Sequence, residues 1–206
     1  MAANHGDSSG PTGQAYEYDE ENRLTTVKRA SDSATLLEIL YDAVGRRVES
    51  IDHVDLDESC GAGNGPTRTR HIYVGPATVE EYTLCDDGQG GLEVDLAREF
   101  LWGARFPQPV AMIDHTDAGD VSAGTPEVLH YLHDALGSVI TLTDAGDPEA
   151  EPPVEPQIVE RYDYEPYGQT LITDASGSTL ASSAYGNPFA WTGQRYDASV
   201  IACVQR

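Results

Sequence analysis

The sequence has few basic residues, few cysteines and no long apolar run, and each shortage excludes a class of protein. Its 206 residues include 12 Lys and Arg against 35 Asp and Glu, which gives a formal net charge of −23. Such a chain repels polyanions, so we expect no nucleic-acid partner and no binding to anionic membrane surfaces. No run of 18 apolar residues occurs, so the sequence predicts no membrane-spanning helix.

The first residues also lack the features of a secretion signal. The stretch MAANHGDSSGPTGQ has neither a basic region nor an apolar region, so we expect no signal peptide. Its composition predicts that residues 1–13 are disordered. The sequence therefore leaves the compartment of the chain open.

Cysteine and histidine are too sparse to indicate a metal centre. Cys60, Cys85 and Cys203 show no C-x-x-C spacing, so zinc is not expected. Cys60 and Cys85 would pair only in an oxidising compartment, and the sequence leaves that pairing open. His130 and His133 fall on opposite faces if their segment is a strand. With no G-x-S-x-G motif and no phosphate-binding loop, we predict no metal, no cofactor and no enzyme activity.

The sequence does contain a repeated turn motif, of which YDAVGRRV at 41–48 is the clearest copy. Asp42 suits the first position of a type I turn, because its side chain can accept backbone N–H bonds. Gly45 follows where a positive φ is required. The flanking stretches LLEILY and RRVESI are rich in strand formers or alternate in polarity, so the motif predicts a β-hairpin.

The same turn recurs along the chain, and its recurrence predicts the fold class. Turns about ten residues apart, with alternating strands between them, indicate an antiparallel meander built from degenerate repeats. The predicted fold is therefore all-β, made of antiparallel β-hairpin repeats. The further copies and variants are Asp134–Gly137, Asp174–Gly177, Asp19–Asn22 and Glu165–Gly168, the last with Pro166 in its second position.

Tyrosines alternate along several of the predicted strands. Tyr16 and Tyr18 share one face of a strand, as do Tyr162 and Tyr164. Tyrosines on neighbouring hairpins can stack across strands, which favours a structural role for them. The alternative is that the mixture of Tyr, Trp and Asp forms a sugar-binding face.

These motifs carry a family resemblance. YEYDEENRL and YDAVGRRV resemble the YD repeat, and YLHDALGSVITLTDAGD, VERYDYEPYGQ and GNPFAWTGQRYD, in that order, resemble the Rhs repeat-associated core segment. REFLWGARF is similar to the strand that commonly precedes that core. The turn and repeat positions are Tyr18, Asp19, Asn22, Arg23, Tyr41, Asp42, Gly45, Arg46, Asp134, Gly137, Tyr164, Pro166, Gly168, Gly193, Tyr196 and Asp197.

The resemblance implies a structural, non-catalytic role. Proteins of this family form a β-sheet ribbon, wound in a spiral, that builds a hollow shell. The shell encloses a C-terminal polymorphic toxin domain in bacterial Rhs proteins and in the C component of Tc toxins, and related teneurins act in adhesion. The implied partners are other YD-repeat segments or a toxin domain of a parent protein, and the relatives are secreted or lie at the cell surface. Binding of carbohydrate or cell-surface glycans is the alternative.

The resemblance breaks down at the end of the chain. After TGQRYD the family continues through a tyrosine-rich segment to an Asp-Pro end, where its self-cleavage site lies, whereas here ASVIACVQR follows. We therefore expect a C-terminally truncated or frameshifted fragment. Asp42, Asp134 and Asp174 are interpreted as turn caps, with a remnant of an aspartyl autoproteolytic core as the alternative.

The resemblance also suggests an organisation of the chain. The predicted segments comprise a disordered start, YD-repeat hairpins, an acidic Gly-rich insertion, a strand region with loops, the core segment with a Pro- and Glu-rich loop, and an aberrant tail. In that order they cover 1–13, 14–51, 52–70, 71–127, 128–197 (loop 147–158) and 198–206.

Overall fold

The protein is all-β. A computed structural model describes residues 13–57, 65–86, 91–104, 107–116, 126–166 and 169–197. Across these residues the only helical element is a 3-10 turn at Trp191–Gly193. The strands are β1 Gln14–Tyr18, β2 Leu24–Arg29, β3 Thr35–Tyr41, β4 Arg47–Asp57, β5 Gly65–Val74, β6 Ala77–Asp86, β7 Leu92–Trp102, β8 Pro109–Asp114, β9 Glu127–His133, β10 Val139–Thr143, β11 Ile158–Tyr164, β12 Thr170–Asp174 and β13 Thr179–Leu180.

The strands follow one another in the sheet in the order of the chain. Among the described residues thirteen strands form one sheet from β1 to β13, and each described register, such as that of β3 with β4, is antiparallel. The predicted antiparallel, all-β fold is therefore confirmed. In the part of the chain that the structure describes, no helix is long and apolar enough to cross a membrane.

The first of two compact units comprises the described residues of 1–72 and 81–95. Its core is a small aliphatic cluster supplied by β2 and β3, where β3 runs almost continuously apolar. Each fully buried side chain of this kind contributes about 1.5–3 kcal/mol by leaving water. The buried members are Val27, Leu36, Leu37 and Ile39, with Tyr16, Leu24 and Tyr41 packed against them.

The second unit comprises residues 73–80 and the described residues of 96–198. Its larger core is centred on Phe189, whose ring makes edge contacts with Phe100, Trp102 and Tyr131 at centroid distances of 5.1, 5.2 and 6.3 Å. Alternate residues of the strands point to this face, as the pleat requires. The buried members are Phe100, Met112, Leu129, Tyr131, Val139, Leu142, Tyr162, Ile172 and Phe189.

Strand structure extends into both ends of segment 52–70, for which we expected a surface insertion. β4 continues to Asp57 and β5 begins at Gly65, and Asp52 is the register partner of Thr67. The reason is that the polar residues here pair across strands, so polarity alone did not mark a loop. Cys85 is buried and disulfide-bonded, while Cys60 and Cys203 lie outside the described residues.

The Pro- and Glu-rich segment forms a loop between β10 and β11. An isolated bridge joins Asp147 to Val154 within it. Asp144 closes its base, because its Oδ1 accepts from the N–H groups of Gly146 at 3.0 Å and Gln157 at 2.7 Å.

Candidate functional site

The Asp42 turn is held by a set of hydrogen bonds from one carboxylate. Oδ1 of Asp42 accepts from the N–H of Val44 at 3.0 Å and from the N–H of Arg46 at 2.9 Å. The N–H of Gly45 donates to the Asp42 carbonyl at 3.1 Å, and the φ of Gly45 is +85°. The side chain thus accepts from backbone N–H groups that the turn's own backbone hydrogen bond does not use.

The same arrangement forms at Asp19, Asp134 and Asp174. In each, Oδ1 accepts from the N–H groups two and four residues later, at 2.8–3.0 Å. The fourth residue has a left-handed φ, which is +60° at Asn22 and +86° at Gly137. The sequence motif therefore encodes one three-dimensional unit, which we call the aspartate turn. It comprises Asp19–Arg23, Asp42–Arg46, Asp134–Ser138 and Asp174–Ser178.

An arginine completes the aspartate turn in the first unit. Nε of Arg23 donates to Oδ2 of Asp19 at 2.6 Å, and Nε of Arg46 donates to Oδ2 of Asp42 at 2.7 Å. The backbone N–H of the arginine, followed by its guanidinium, holds the pKa of Asp19 and of Asp42 below the ordinary value. This explains why arginine follows the glycine or asparagine in both copies.

Arg23 also connects one aspartate turn to the next. Its Nη1 donates to the carbonyl of Asp42 at 3.3 Å, and its guanidinium carbon lies 5.0 Å from the centre of the Tyr41 ring. Such a cation–π contact adds roughly 0.5–1 kcal/mol at an exposed site. Successive turns in this unit are therefore in direct contact.

The tyrosine before the acidic residue forms a second connection, which we call the tyrosine latch. The Tyr41 hydroxyl donates to the carbonyl of Leu24 at 2.8 Å, and the Tyr164 hydroxyl donates to the carbonyl of Val139 at 2.6 Å. Leu24 directly follows the turn that ends at Arg23, and Val139 directly follows the turn that ends at Ser138. In the Tyr41-Asp42 pair the two side chains thus have separate tasks, since Asp42 shapes its own turn and Tyr41 anchors that turn to the preceding one.

Removing one latch should weaken the fold by a moderate amount. We expect Tyr164→Phe to lower the free energy of unfolding by about 1 kcal/mol, because the Val139 carbonyl loses its donor while the ring stays packed. Urea unfolding followed by tryptophan fluorescence measures the change. Tyr18→Phe is the matched control, because Tyr18 holds the same position before Asp19 but is 49% exposed. Equal losses in the two variants would contradict the latch.

The segment after β13 is fixed to the second unit by a buried carboxylate. Glu160 is 1% exposed. Its side chain accepts from the Tyr162 hydroxyl, from the Ser183 hydroxyl at 2.8 Å and from the N–H of Ala184 at 2.6 Å. Three donors on one carboxylate satisfy a group that is otherwise costly to bury.

An asparagine extends this attachment into the aromatic core. Oδ1 of Asn187 accepts from the Tyr131 hydroxyl at 3.0 Å and from the N–H of Phe189 at 2.9 Å, and its Nδ2 donates to the Phe189 carbonyl at 2.8 Å. The backbone around Phe189 is thereby fixed, which sets the ring in the centre of the core.

The Asp134 turn is packed against the end of the same segment. The N–H of Thr192 donates to the buried Ser138 hydroxyl at 3.1 Å, and the N–H of Val139 donates to the Ala190 carbonyl at 3.2 Å. Gly193 has a φ of +70°, and a Cβ there would overlap the carbonyl oxygen of Pro107. Backbone from distant parts of the chain therefore meets at Gly193.

Most of the turn and repeat positions predicted from the sequence lie among the described residues of this site. The turn after β11 is closed by donation from the N–H of Glu165 to the carbonyl of Gln169 at 2.9 Å, with Pro166 between them, but Gly168 lies outside the described residues. Tyr196 packs against the aromatic core, and Asp197 is half-buried. The sequence did not single out Glu160, Asn187 or Ser138, since their partners lie 23 to 56 residues away along the chain.

Four tyrosines of the second unit should couple alkaline pH to unfolding. Burial is the main cause that raises the pKa of Tyr162, Tyr164, Tyr185 and Tyr196, and the Glu160 charge adds to it at Tyr162. Their contribution to stability is complete below the unfolded value of about 10 and is lost as pH rises through the folded pKa. We expect their ionisation, measured by absorbance at 295 nm, to coincide with loss of β circular dichroism. Gradual ionisation of all tyrosines near pH 10 with the fold intact would contradict this.

No cluster for a metal ion forms among the residues that the structure describes, taken as three or more His, Cys, Asp and Glu side chains. The features that recur are the aspartate turns and the tyrosine latches. The latches hold hairpins to one another, and the contacts of Glu160 and Asn187 fix the final segment to the sheet. The site is therefore one of assembly between hairpins.

Comparison with known proteins finds solved structures to which this chain is similar. No protein-family model and no curated protein matches the chain. The crystal structure of TcdB2-TccC3 matches 92% of this chain and 8% of its own chain, with a TM-score of 0.58 and 18% identity. TcdB2-TccC3-Cdc42 matches 91% and 8%, with a TM-score of 0.57 and 18% identity. TcdB2-TccC3 without its hypervariable C-terminal region matches with a TM-score of 0.54 and 16% identity. At these identities the likeness shows the fold, and the chain spans about 8% of the length of the chains that it matches.

Proposed function

We propose that the chain is a structural segment of a YD-repeat shell of the kind that encloses a toxin domain. The observation that carries this proposal is the tyrosine latch, which ties the Asp42 turn to the Asp19 turn and the Glu165 turn to the Asp134 turn. The fold similarity to TcdB2-TccC3, a Tc toxin with a YD-repeat shell, supports the same role.

In this role the chain forms one part of the wall of the shell. Because the chain corresponds to 8% of the matched chain, enclosure of a toxin domain is a property of the longer assembly to which such a segment contributes. Its partners are then other YD-repeat segments on either side and the enclosed domain. Stability in such arrays is the sum of hairpin terms and neighbour terms, so a segment gains stability from each neighbour that it meets.

Tyr18 stands where a preceding neighbour would attach. β1 is the first strand in the order of the sheet, and Tyr18 stands directly before Asp19, as Tyr41 stands before Asp42. We propose that Tyr18 is the latch for a hairpin on that side, with its hydroxyl donating to a backbone carbonyl of that hairpin. Its 49% exposure leaves room for such a contact.

A segment exchange tests the proposal directly. The part of TcdB2-TccC3 that aligns with this chain is replaced by residues 14–197, and the complex is purified and treated with trypsin. We expect the exchanged complex to assemble and to protect its hypervariable C-terminal region from digestion as the unmodified complex does. The complex without that region identifies the relevant fragments on a gel.

The isolated chain provides the control for folding. Circular dichroism and light scattering should show a β-rich chain that associates as its concentration rises, because open strand edges pair with one another. An exchanged complex that assembles but leaves the region open to trypsin would contradict the proposal. A strictly monomeric chain that binds immobilised glycans would also contradict the proposal, and would support the carbohydrate-binding alternative.

A further inference from the structure

Three polar side chains in the first unit form a hydrogen-bonded relay across three strands. The hydroxyl of Ser50 on β4 lies 3.0 Å from Nε2 of His71 on β5, and Nδ1 of His71 lies 3.1 Å from Oε1 of Glu81 on β6. The His71 ring is fully buried and the Glu81 carboxylate is 3% exposed, whereas Ser50 is partly exposed. The relay therefore runs from a partly exposed serine to a buried carboxylate.

The chemistry of the three groups fixes the direction of proton transfer. An ionised Glu81 can only accept, so it binds the Nδ1–H of His71. In the neutral imidazole Nε2 is then an acceptor, and it receives the proton of the Ser50 hydroxyl. This is the order of nucleophile, base and orienting carboxylate that activates serine in hydrolases on unrelated folds.

We propose that Ser50, His71 and Glu81 form a nucleophilic triad in which Ser50 reacts with acyl esters. Ser50 Oγ would bond to the acyl carbon and pass its proton to Nε2 of His71. The ester C–O bond then breaks, and the same proton goes to the departing alkoxide, which leaves as an alcohol. Water attacks the acyl-Ser50 ester in the same way, which releases the carboxylic acid and restores the serine. No oxidant, metal or further reactant is required.

The surroundings of Ser50 indicate the class of acyl group. Its register partner on β3 is Ile39, a buried member of the aliphatic cluster that also contains Leu37. Its register partner on β5 is Thr69, which shares its face of the sheet with a Cβ separation of about 5 Å. An apolar acyl chain would therefore lie toward Ile39, and we assign the Thr69 hydroxyl, which can donate, to the carbonyl oxygen.

A serine-directed probe tests the proposal on the unmodified chain. The purified protein is treated with a fluorophosphonate, and the labelled fraction of each serine is measured by mass spectrometry over time. Ser176 and Ser178 are the internal controls, since both are exposed in the Asp174 turn. We expect Ser50 to be labelled about 100-fold faster than either control, because general-base catalysis contributes about 10²–10⁴-fold.

Two variants separate an active triad from a network that only satisfies buried groups. His71→Gln should reduce Ser50 labelling to the rate of the controls, and Thr69→Val should reduce turnover of a p-nitrophenyl acyl ester while leaving the melting temperature within a few degrees. Ser50→Ala should abolish the labelled peptide. Labelling of Ser50 no faster than Ser176 in the unmodified chain would overturn the proposal, and this comparison requires no variant to fold. The test is independent of the shell role, because it measures one side chain of the isolated protein.

Discussion

Gly193→Ala should lower the free energy of unfolding by about 4 kcal/mol or more, which approaches the whole stability of a small domain. Two costs combine at this position. The φ of +70° strains any residue with a Cβ, and the added Cβ would overlap the carbonyl oxygen of Pro107. The obstructing atom belongs to the backbone, so no side-chain rotation relieves the overlap. The expected result is a protein that is largely unfolded or expressed only at low levels.

Gly177→Ala is the matched control for the Gly193 variant. Gly177 has a φ of +87°, but a Cβ there would meet nothing within 4 Å. The strain alone should cost about 1–2 kcal/mol. Urea unfolding of both variants, followed by circular dichroism, measures the difference. Equal losses would show that Pro107 and Gly193 do not approach closely and would contradict the docking of the final segment.

Glu160→Ala should destabilise the protein by about 3–5 kcal/mol, because it removes the shared acceptor of three hydrogen-bond donors around a residue that is 1% exposed. The buried Tyr162 hydroxyl, the partly buried Ser183 hydroxyl and the N–H of Ala184 would all lose their acceptor. Each unsatisfied donor costs about 1–3 kcal/mol. We expect the segment that begins at Ser183 to detach, with loss of the contacts of Phe189.

Two further variants make the Glu160 prediction specific. Glu160→Gln keeps the shape and one acceptor oxygen, so its loss should fall between those of the unmodified protein and Glu160→Ala. Glu155→Ala removes an exposed carboxylate from the loop between β10 and β11 and should change stability by less than about 0.5 kcal/mol. Hydrogen exchange reports whether the backbone N–H groups of Ala184 and Asn187 lose protection first. Loss spread evenly over the second unit would argue against a local anchor.

The fold class could be predicted from the sequence because its determinants are local. Asp42 and Gly45 specify a turn by their own conformational preferences, and alternation of polarity specifies the strands beside it. The tyrosine latch could not be predicted in the same way. The acceptor of Tyr41 is a backbone carbonyl 17 residues earlier, and that of Tyr164 is 25 residues earlier, and a carbonyl carries no signal in the sequence.

The relay of Ser50, His71 and Glu81 also escaped prediction, for a related reason. Its members lie 21 and 10 residues apart, and only the pairing of β4, β5 and β6 brings them together. One signal was present in the sequence. His71 and Glu81 stand on either side of the Gly75-Pro76 turn, at nearly equal distances from it, so the hairpin alone places them close to one another.

The tyrosine latch suits an order of folding in which hairpins form from the N-terminus onward. Tyr41 and Tyr164 both donate to carbonyl groups nearer the N-terminus, so each hairpin is anchored to one that the ribosome has already released. An emerging hairpin therefore meets a formed acceptor within about 25 residues, which keeps loop-closure entropy small. The sheet can then grow strand by strand during synthesis, in step with translation, and its newest edge pairs with the strand that emerges next.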